Sequence, residues 1–97
     1  MRVIARSTLQ EFWRQHQDAE EALASWYHEA HNATWKSFAD IKARYGSADV
    51  LPGNRVVFNI KGNKYRLVVK ISYVAGIVFI RFVGTHAAYD KINAETI

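Results

Sequence analysis

A histidine and a tyrosine lie three residues apart in the segment 82-FVGTHAAYDKI-92, directly after the most hydrophobic run of the chain. Thr85 is a suitable helix N-cap, which would place His86 and Tyr89 on one face of the first helical turn. The dipole of such a helix disfavours added positive charge at its N-terminus, so the neutral imidazole is expected. A neutral imidazole can take a proton from a hydroxyl group. The segment is therefore a candidate for acid–base chemistry, provided that the fold places suitable groups beside it.

The basic residues of the chain are concentrated in one region. Residues 50–89 contain six Lys or Arg and no Asp or Glu, whereas residues 1–49 contain six Lys or Arg and seven Asp or Glu. A long stretch without a carboxylate predicts a surface that binds an anion, and nucleic acid is the commonest such partner. The alternative is a solvated basic face with no binding function.

The composition limits the class of protein. Ninety-seven residues, 49% of them hydrophobic, suffice for one globular domain covering residues 1–97. The absence of cysteine excludes disulfides, thiolate metal sites and cysteine nucleophiles. The opening MRVIARSTLQ lacks the apolar core of a signal peptide, and no apolar run could span a bilayer, so we expect a cytoplasmic protein with no membrane partner. His28 and His31 are three apart, but without a third ligand they predict no metal site.

The first half of the chain has mainly helical periodicity. Residues 3–5 can form a short strand, and Ser7 is the expected N-cap of a helix that ends near residues 16–17. Asp18 is the expected N-cap of a second helix, and a third, short helix is predicted over residues 37–45. The second helix has a regular apolar stripe, formed by Ala19, Ala22, Leu23, Trp26, Tyr27 and Ala30. The tight connection between the first two helices predicts an antiparallel pair.

From Asp49 onward the periodicity becomes that of β-strands. The predicted strands cover residues 49–51, 55–61, 64–73 and 77–84. Gly62-Asn63 and Ala75-Gly76 are candidate two-residue hairpin loops, and Pro52-Gly53-Asn54 is a turn. The sequence thus predicts one α+β domain, in which a helical hairpin packs on an antiparallel sheet of three to five strands and a short helix follows at the C-terminus.

Two-residue loops would fix which side chains lie opposite one another in the sheet. The predicted pairs across the first loop are Lys61–Lys64, Asn59–Arg66, Val57–Val68 and Arg55–Lys70. Those across the second loop are Lys70–Arg81 and Arg66–Thr85. One face of this sheet is apolar and suits the helices, whereas the other collects the basic side chains. Like charges opposite one another destabilise a sheet, and a bound phosphate chain would relieve that cost.

The run 55-RVVFNIKGNKYRLVVKISY-73, followed by 76-GIVFIRFVGTHAAYDKI-92, resembles the HigB toxins of bacterial toxin–antitoxin systems, a branch of the RelE-like mRNA interferases. The opening MRVIARSTLQEFW is similar as well, so the resemblance covers nearly the whole chain. It implies a RelE/ParE-like fold and a metal-independent endoribonuclease, with no cofactor, that cleaves messenger RNA in the ribosomal A site. It also implies an inhibitory partner, a helix-turn-helix antitoxin of the HigA type.

The resemblance assigns roles to individual residues. Arg66 and Arg81 match arginines that bind and stabilise the phosphate, His86 matches the acid or base, and Tyr89 matches an aromatic residue that positions groups or stacks on a base. The predicted catalytic residues are Arg66, Arg81, His86 and Tyr89. The predicted RNA-binding residues are Lys61 and Lys64, from the resemblance, and Arg55, Asn59 and Lys70, from the basic face. Which side chain is the general base stays open.

Two other functions are compatible with this fold or this face. A ParE-like relative would poison gyrase by binding alone, and such a poison needs no histidine and tyrosine beside paired arginines. A non-catalytic RNA-binding module would need a stacking platform, yet Tyr89 and Phe79 are the only aromatic residues placed near the basic face. An inactive toxin retained as an antitoxin partner is the remaining alternative.

Overall fold

The computed structural model describes residues 1–97, and these form four α-helices, a 3-10 turn and five β-strands. The elements are β1 (Arg2–Ile4), α1 (Arg6–Gln15), the 3-10 turn (Gln17–Ala19), α2 (Glu20–Asn32), α3 (Phe38–Arg44), β2 (Asp49–Leu51), β3 (Arg55–Ile60), β4 (Tyr65–Ser72), β5 (Ile77–Thr85) and α4 (His86–Tyr89). The predicted α+β class is confirmed. None of the helices combines the length and the apolar character needed to cross a membrane.

Two helices begin differently from the prediction. Ala5, and not Ser7, occupies the N-cap position of α1, and no side chain caps this helix. Asp18 lies within the 3-10 turn, and its carboxylate accepts hydrogen bonds from Lys64 Nζ and from the Tyr65 hydroxyl, the latter at 2.5 Å. Donors from the sheet have thus replaced the local backbone amides as partners of Asp18. The carboxylate ties the start of the second helical segment to the β3–β4 hairpin.

The five strands form one sheet in the order β1-β5-β4-β3-β2. The β2–β3, β3–β4 and β4–β5 pairs are antiparallel, but β1 pairs with β5 in parallel. The expectation of a purely antiparallel sheet is therefore wrong at this edge. Parallel neighbours need a long crossover connection, and the chain between β1 and β5 supplies one.

The β3–β4 hairpin has the predicted register over its paired residues. The observed pairs include Arg55–Lys70, Val57–Val68 and Asn59–Arg66. The turn is longer than predicted, because pairing ends at Ile60–Tyr65 and both Lys61 and Gly62 have positive φ, at 53° and 67°. The predicted strand pair Lys61–Lys64 is wrong, since both lysines belong to the turn.

The register of β4 and β5 differs from the prediction, because β5 contains a β-bulge. Val68 lies opposite Phe82, whereas the next residue, Val69, lies opposite Ile80, so Arg81 is an extra residue. The predicted pairs Lys70–Arg81 and Arg66–Thr85 are wrong, and the observed pairs are Lys70–Phe79 and Arg66–Gly84. The predicted pairs would have extended two rows across three strands, Arg55–Lys70–Arg81 and Asn59–Arg66–Thr85, and neither row forms.

Different elements cover the two faces of the sheet. The inner face packs against the helices in a core of sixteen buried residues, which includes Trp26, Phe58 and Leu67. On the opposite, outer face, Val57 and Val68 are buried in a smaller cluster with residues of the C-terminal segment, 89–97. The outer face is therefore not the uninterrupted basic surface that the sequence predicted.

The bulge allows the apolar side chains of β5 to pack on both faces of the sheet. Val78, Ile80 and Val83 pack with the inner core, whereas Phe82 packs on the outer face. Strict alternation would put Ile80 and Val83 on opposite faces, so one additional residue is needed between them. That residue is Arg81, and its side chain is exposed.

Asp18→Asn should lower stability at neutral pH and remove part of the acid sensitivity of the protein. Hydrogen bonds from Lys64 and then Tyr65 lower the pKa of Asp18 from 3.8 to about 2. A carboxyl group whose pKa is lowered by folding stabilises the protein above its unfolded pKa and loses that contribution as the pH falls through the folded value. Urea unfolding of the wild type should therefore show a decline between about pH 4 and about pH 2 that Asp18→Asn lacks.

Glu11→Gln is the matched control, because Glu11 is an exposed carboxylate on α1 that makes no ion pair. If both variants lost the same part of the acid dependence, general charge repulsion and not the Asp18 contact would account for it.

Candidate functional site

One end of the outer face brings together three of the predicted catalytic residues. Arg66 lies on β4 opposite Gly84, and α4 begins two residues later with His86. Arg66 Nη2 lies 2.8 Å from His86 Nε2, and the guanidinium carbon of Arg66 lies 4.8 Å from the centre of the Tyr89 ring. We call Arg66, His86 and Tyr89 the Arg–His–Tyr cluster. A single turn of helix directs two side chains to one guanidinium group.

Thr85 caps this short helix as predicted. Its hydroxyl oxygen accepts a hydrogen bond from the backbone N–H of Ala88 at 3.1 Å, and its own backbone is extended, with φ −68° and ψ 162°. The cap fixes the residue at which the strand becomes a helix. It thereby determines where His86 lies relative to β4.

The contact with Arg66 determines which nitrogen of His86 carries a proton. A guanidinium group can only donate hydrogen bonds, so Nε2 of His86 must be the acceptor and is unprotonated. In the neutral ring the proton is then on Nδ1, which lies 3.5 Å from Oδ2 of Asp90. The ring is therefore held between a cation and an anion, with its basic nitrogen directed at the cation.

Arg66 has a donor that is not used within the protein. Its Nε atom is buried and makes no hydrogen bond, and the same holds for Oδ1 of Asn59 on the neighbouring strand. The amide nitrogen of Asn59 donates to the carbonyl of Ser47 over 3.4 Å. Buried polar atoms without partners are uncommon in native proteins. An anion such as a phosphate would provide an acceptor for the Nε donor of Arg66.

The Tyr89 ring packs against the guanidinium group of Arg66. The ring also packs against Phe82, with ring centres 6.4 Å apart, and belongs to the cluster that contains Val57 and Val68. One surface of the ring is covered by Arg66, in a cation–π arrangement. This geometry favours the positioning role expected for Tyr89 over stacking on a base.

Arg81 does not join the Arg–His–Tyr cluster. It is the extra residue of the bulge, and it makes no hydrogen bond or ion pair. Arg66 lies opposite Gly84, three residues further along β5, which is roughly 10 Å at a rise of about 3.3 Å per residue. Arg81 is thus a separate cation beside the site.

Arg55 and Lys70 lie opposite each other, nearer the other end of β3 and β4. Arg55 Nε donates to the backbone carbonyl of Ile97 at 2.8 Å, and Arg55 Nη1 lies 3.4 Å from the carbonyl oxygen of Pro52. The Nε donor of Arg55 is therefore already used by the C-terminal segment. Lys70 is half-buried and makes no ion pair.

Lys61 and Lys64 lie in the β3–β4 turn, next to the start of α2. Lys64 forms an ion pair with Asp18, and this hydrogen-bonded contact raises the pKa of Lys64. Lys61 borders the same surface as Asp18 and Glu21. Lys64 therefore has a structural contact that the sequence did not indicate, while Lys61 is an exposed cation.

Two features of the site were missed from the sequence. The first is Asp90, whose position four residues after His86 was the available signal, since residues at this spacing are neighbours on a helix. The second is the cover that Ile92, Ala94 and Ile97 place over the outer face. The signal for that cover was the apolar pair Val57–Val68 in the middle of a face predicted to be basic. No three His, Asp or Glu side chains come together in a group that could hold a metal ion.

Comparison with known proteins gives the family. Residues 19–92 match a family model, HigB toxin, described as the RelE-like toxic component of a toxin–antitoxin system. The chain belongs to the HigB toxin family. The matched range contains the whole Arg–His–Tyr cluster, and membership implies an antitoxin as partner. No curated protein matches the chain.

Gly84→Ala tests the packing that supports the Arg–His–Tyr cluster of this HigB-family toxin. A Cβ atom at Gly84 would lie 2.6 Å from Cζ of Phe82, so the ring must move, and overpacking of this kind typically costs about 1–3 kcal/mol. Because Phe82 contacts Tyr89, which in turn covers Arg66, the melting temperature should fall and the ring resonances of Tyr89 should shift in NMR spectra. Gly46→Ala is the control, because a Cβ there meets nothing within 4 Å. Unchanged Tyr89 resonances in Gly84→Ala would show that Phe82 does not transmit the strain.

Proposed function

We propose that this HigB-family toxin is an endoribonuclease that cleaves messenger RNA by metal-independent acid–base chemistry. The observation that carries the proposal is the 2.8 Å contact between Arg66 Nη2 and His86 Nε2. It places an unprotonated imidazole nitrogen beside a permanent cation, and both residues are partly exposed. RNA cleavage needs these two kinds of group next to one phosphate.

Substrate binding should use the donors of Arg66. A phosphate oxygen would compete with His86 for Nη2, because an anion is a stronger acceptor than a neutral imidazole. It could accept from the buried Nε only after the Arg66 side chain shifts. Oδ1 of Asn59, directly across the ladder, is a buried acceptor without a partner, and a hydroxyl of the RNA could donate to it if the side chain becomes exposed on binding. Tyr89 keeps the guanidinium plane in place while its hydrogen-bond partners change.

Cleavage then proceeds by attack of the ribose 2′-oxygen on the neighbouring phosphorus. His86 Nε2, released from Arg66, accepts the 2′-hydroxyl proton as the new P–O bond forms, and Arg66 stabilises the charge that develops on the phosphoryl oxygens. The bond to the 5′-oxygen breaks, and that oxygen takes a proton from a second donor, for which the Tyr89 hydroxyl is the candidate in this cluster. The products are a 2′,3′-cyclic phosphate and a 5′-hydroxyl end. Asp90 would stabilise the imidazolium that His86 becomes, from a distance of 3.5 Å in the present geometry.

We further propose that the RNA is cut in the ribosomal A site, and hence in the cytoplasm. Two of the four cations predicted to bind RNA, Arg55 and Lys64, are engaged in contacts within the protein. The toxin alone therefore offers few groups that could align a flexible single strand. A ribosome holds the message in a fixed path, and the exposed cations Lys61 and Arg81 remain free to contact it.

The test is primer-extension mapping of a translated message, with and without ribosomes. Loss of a general acid or base typically lowers the rate by roughly 10²–10⁴-fold, so His86→Ala should abolish the cuts under conditions in which the wild type is active. Arg66→Ala should also abolish growth arrest, because it removes the charge that stabilises the phosphorane-like transition state. His28→Ala is the matched control, since the His28 ring makes no contact with the site.

Both site variants should keep the thermal stability and antitoxin binding of the wild type. A reduction of only a few-fold in His86→Ala would contradict the assignment of His86 as the base. A preparation that arrests growth but makes no cuts would favour a gyrase poison of the ParE type, which a supercoiling assay would reveal directly.

A further inference from the structure

The largest cavity of the protein, about 600 Å³, lies far from the Arg–His–Tyr cluster. Its walls come from β1, the end of α2, the loop after α2 and the β4–β5 turn, and they include Arg2, Tyr27, His31, Trp35, Lys36 and Tyr73. We call it the aromatic cleft. Tyr73 directly follows β4, at the end of the strand that is distant from Arg66. The two residues are seven positions apart, which is roughly 20 Å at about 3.3 Å per residue. The cleft is thus a surface separate from the Arg–His–Tyr cluster.

The rim of the aromatic cleft carries two free cations. The side chains of Arg2 and Lys36 are exposed, and neither takes part in an ion pair. No carboxylate lines the cleft. The nearby Asp40 accepts a hydrogen bond from the backbone N–H of Lys36 at 2.9 Å, but it forms no ion pair with Arg2 or Lys36. An occupant of this cleft should therefore bring a negative charge to its rim.

Two of the rings that line the cleft, those of Tyr27 and Trp35, are engaged with other side chains, which favours one kind of occupant over another. Tyr27 stacks on His31, with ring centres 5.8 Å apart, and the guanidinium of Arg6 lies 4.9 Å from the centre of the same ring. Trp35 is only 8% exposed and stacks on Phe58. A nucleobase needs a free ring face on which to stack, and these two rings do not provide one. An apolar side chain of a protein needs only an apolar wall, and the rings do provide that.

We propose that the aromatic cleft is the docking site of the antitoxin. A segment of the antitoxin would insert an apolar side chain against Trp35 and Tyr73 and place a carboxylate between Arg2 and Lys36. Family membership indicates that the partner is an antitoxin. The free cations beside an apolar cleft indicate that its docking segment is apolar and carries a negative charge. The proposal rests on membership of a toxin–antitoxin family and not on the nuclease activity proposed above.

Charge reversal at the rim is the first test. The double variant Arg2→Glu/Lys36→Glu is titrated calorimetrically with the antitoxin encoded beside this toxin, expressed and purified on its own. Because each substitution turns an attractive contact into a repulsive one, the dissociation constant should rise by about tenfold or more. Arg14→Glu/Lys91→Glu makes the same change in net charge at exposed positions that do not line the cleft, and it should bind like the wild type.

Tyr73 provides a second test that leaves the charge unchanged. Tyr73→Ala should weaken antitoxin binding, whereas Tyr73→Phe, which keeps the apolar wall, should not. Circular dichroism melting of each variant separates lost binding from lost folding, and the conservative variant keeps the test valid if Tyr73→Ala unfolds.

The outcomes distinguish this proposal from its competitors. Wild-type affinity in both Arg2→Glu/Lys36→Glu and folded Tyr73→Ala would overturn it. Weaker binding of a single-stranded RNA oligonucleotide with unchanged antitoxin affinity would instead make the cleft a second RNA-binding surface. Cleavage assays on the same samples keep the two proposals apart. Cleft variants should cut RNA like the wild type, and a His86→Ala variant that still cut would count against the nuclease mechanism alone.

Discussion

Strand β5 must supply apolar side chains to both faces of the sheet, and the extra residue at Arg81 makes this possible. Ile80 and Val83 face the helices while Phe82, between them, faces the C-terminal segment. The same bulge changes the residue opposite Arg66 from the predicted Thr85 to Gly84, and β5 ends one residue after Gly84. The position of α4, and with it the contact between Arg66 and His86, therefore depends on how β5 packs. A packing requirement in the core sets the geometry of the candidate site.

Contacts within the protein already engage several of the cations on and beside the outer face. The sequence predicted a basic face whose charge a bound phosphate chain would relieve. In the structure, Arg55 donates to a carbonyl of the C-terminal segment, Lys64 pairs with Asp18, and Arg66 donates to a neutral imidazole. The charge balance alone is thus weaker support for RNA binding than it was from the sequence. Support for that function now rests on the Arg–His–Tyr cluster, where a buried donor remains unsatisfied.

Local signals in the sequence predicted the local parts of this structure well. The β3–β4 register and the Thr85 cap follow from residues that are close in the chain, and both were predicted correctly. The failures involve partners that are distant in the chain. Asp18 is a good N-cap by its own neighbours, but a tyrosine hydroxyl 47 residues away binds the carboxylate instead. The parallel pairing of β1 with β5 and the bulge at Arg81 also depend on packing between remote segments, which a periodic pattern does not reveal.

In the proposed mechanism, the contact with Arg66 that leaves Nε2 of His86 unprotonated would also prevent it from acting as a base in the free protein. Arg66 holds Nε2 unprotonated, but it occupies the lone pair that would accept a proton. The imidazole is 41% exposed, and the carboxylate of Asp90 lies 3.5 Å from its Nδ1. In that mechanism, the lone pair of Nε2 would become available when another acceptor takes the Arg66 donor, as a correctly placed phosphate would do. Activity would then require RNA held in a defined position, which links the geometry of the cluster to a requirement for the ribosome.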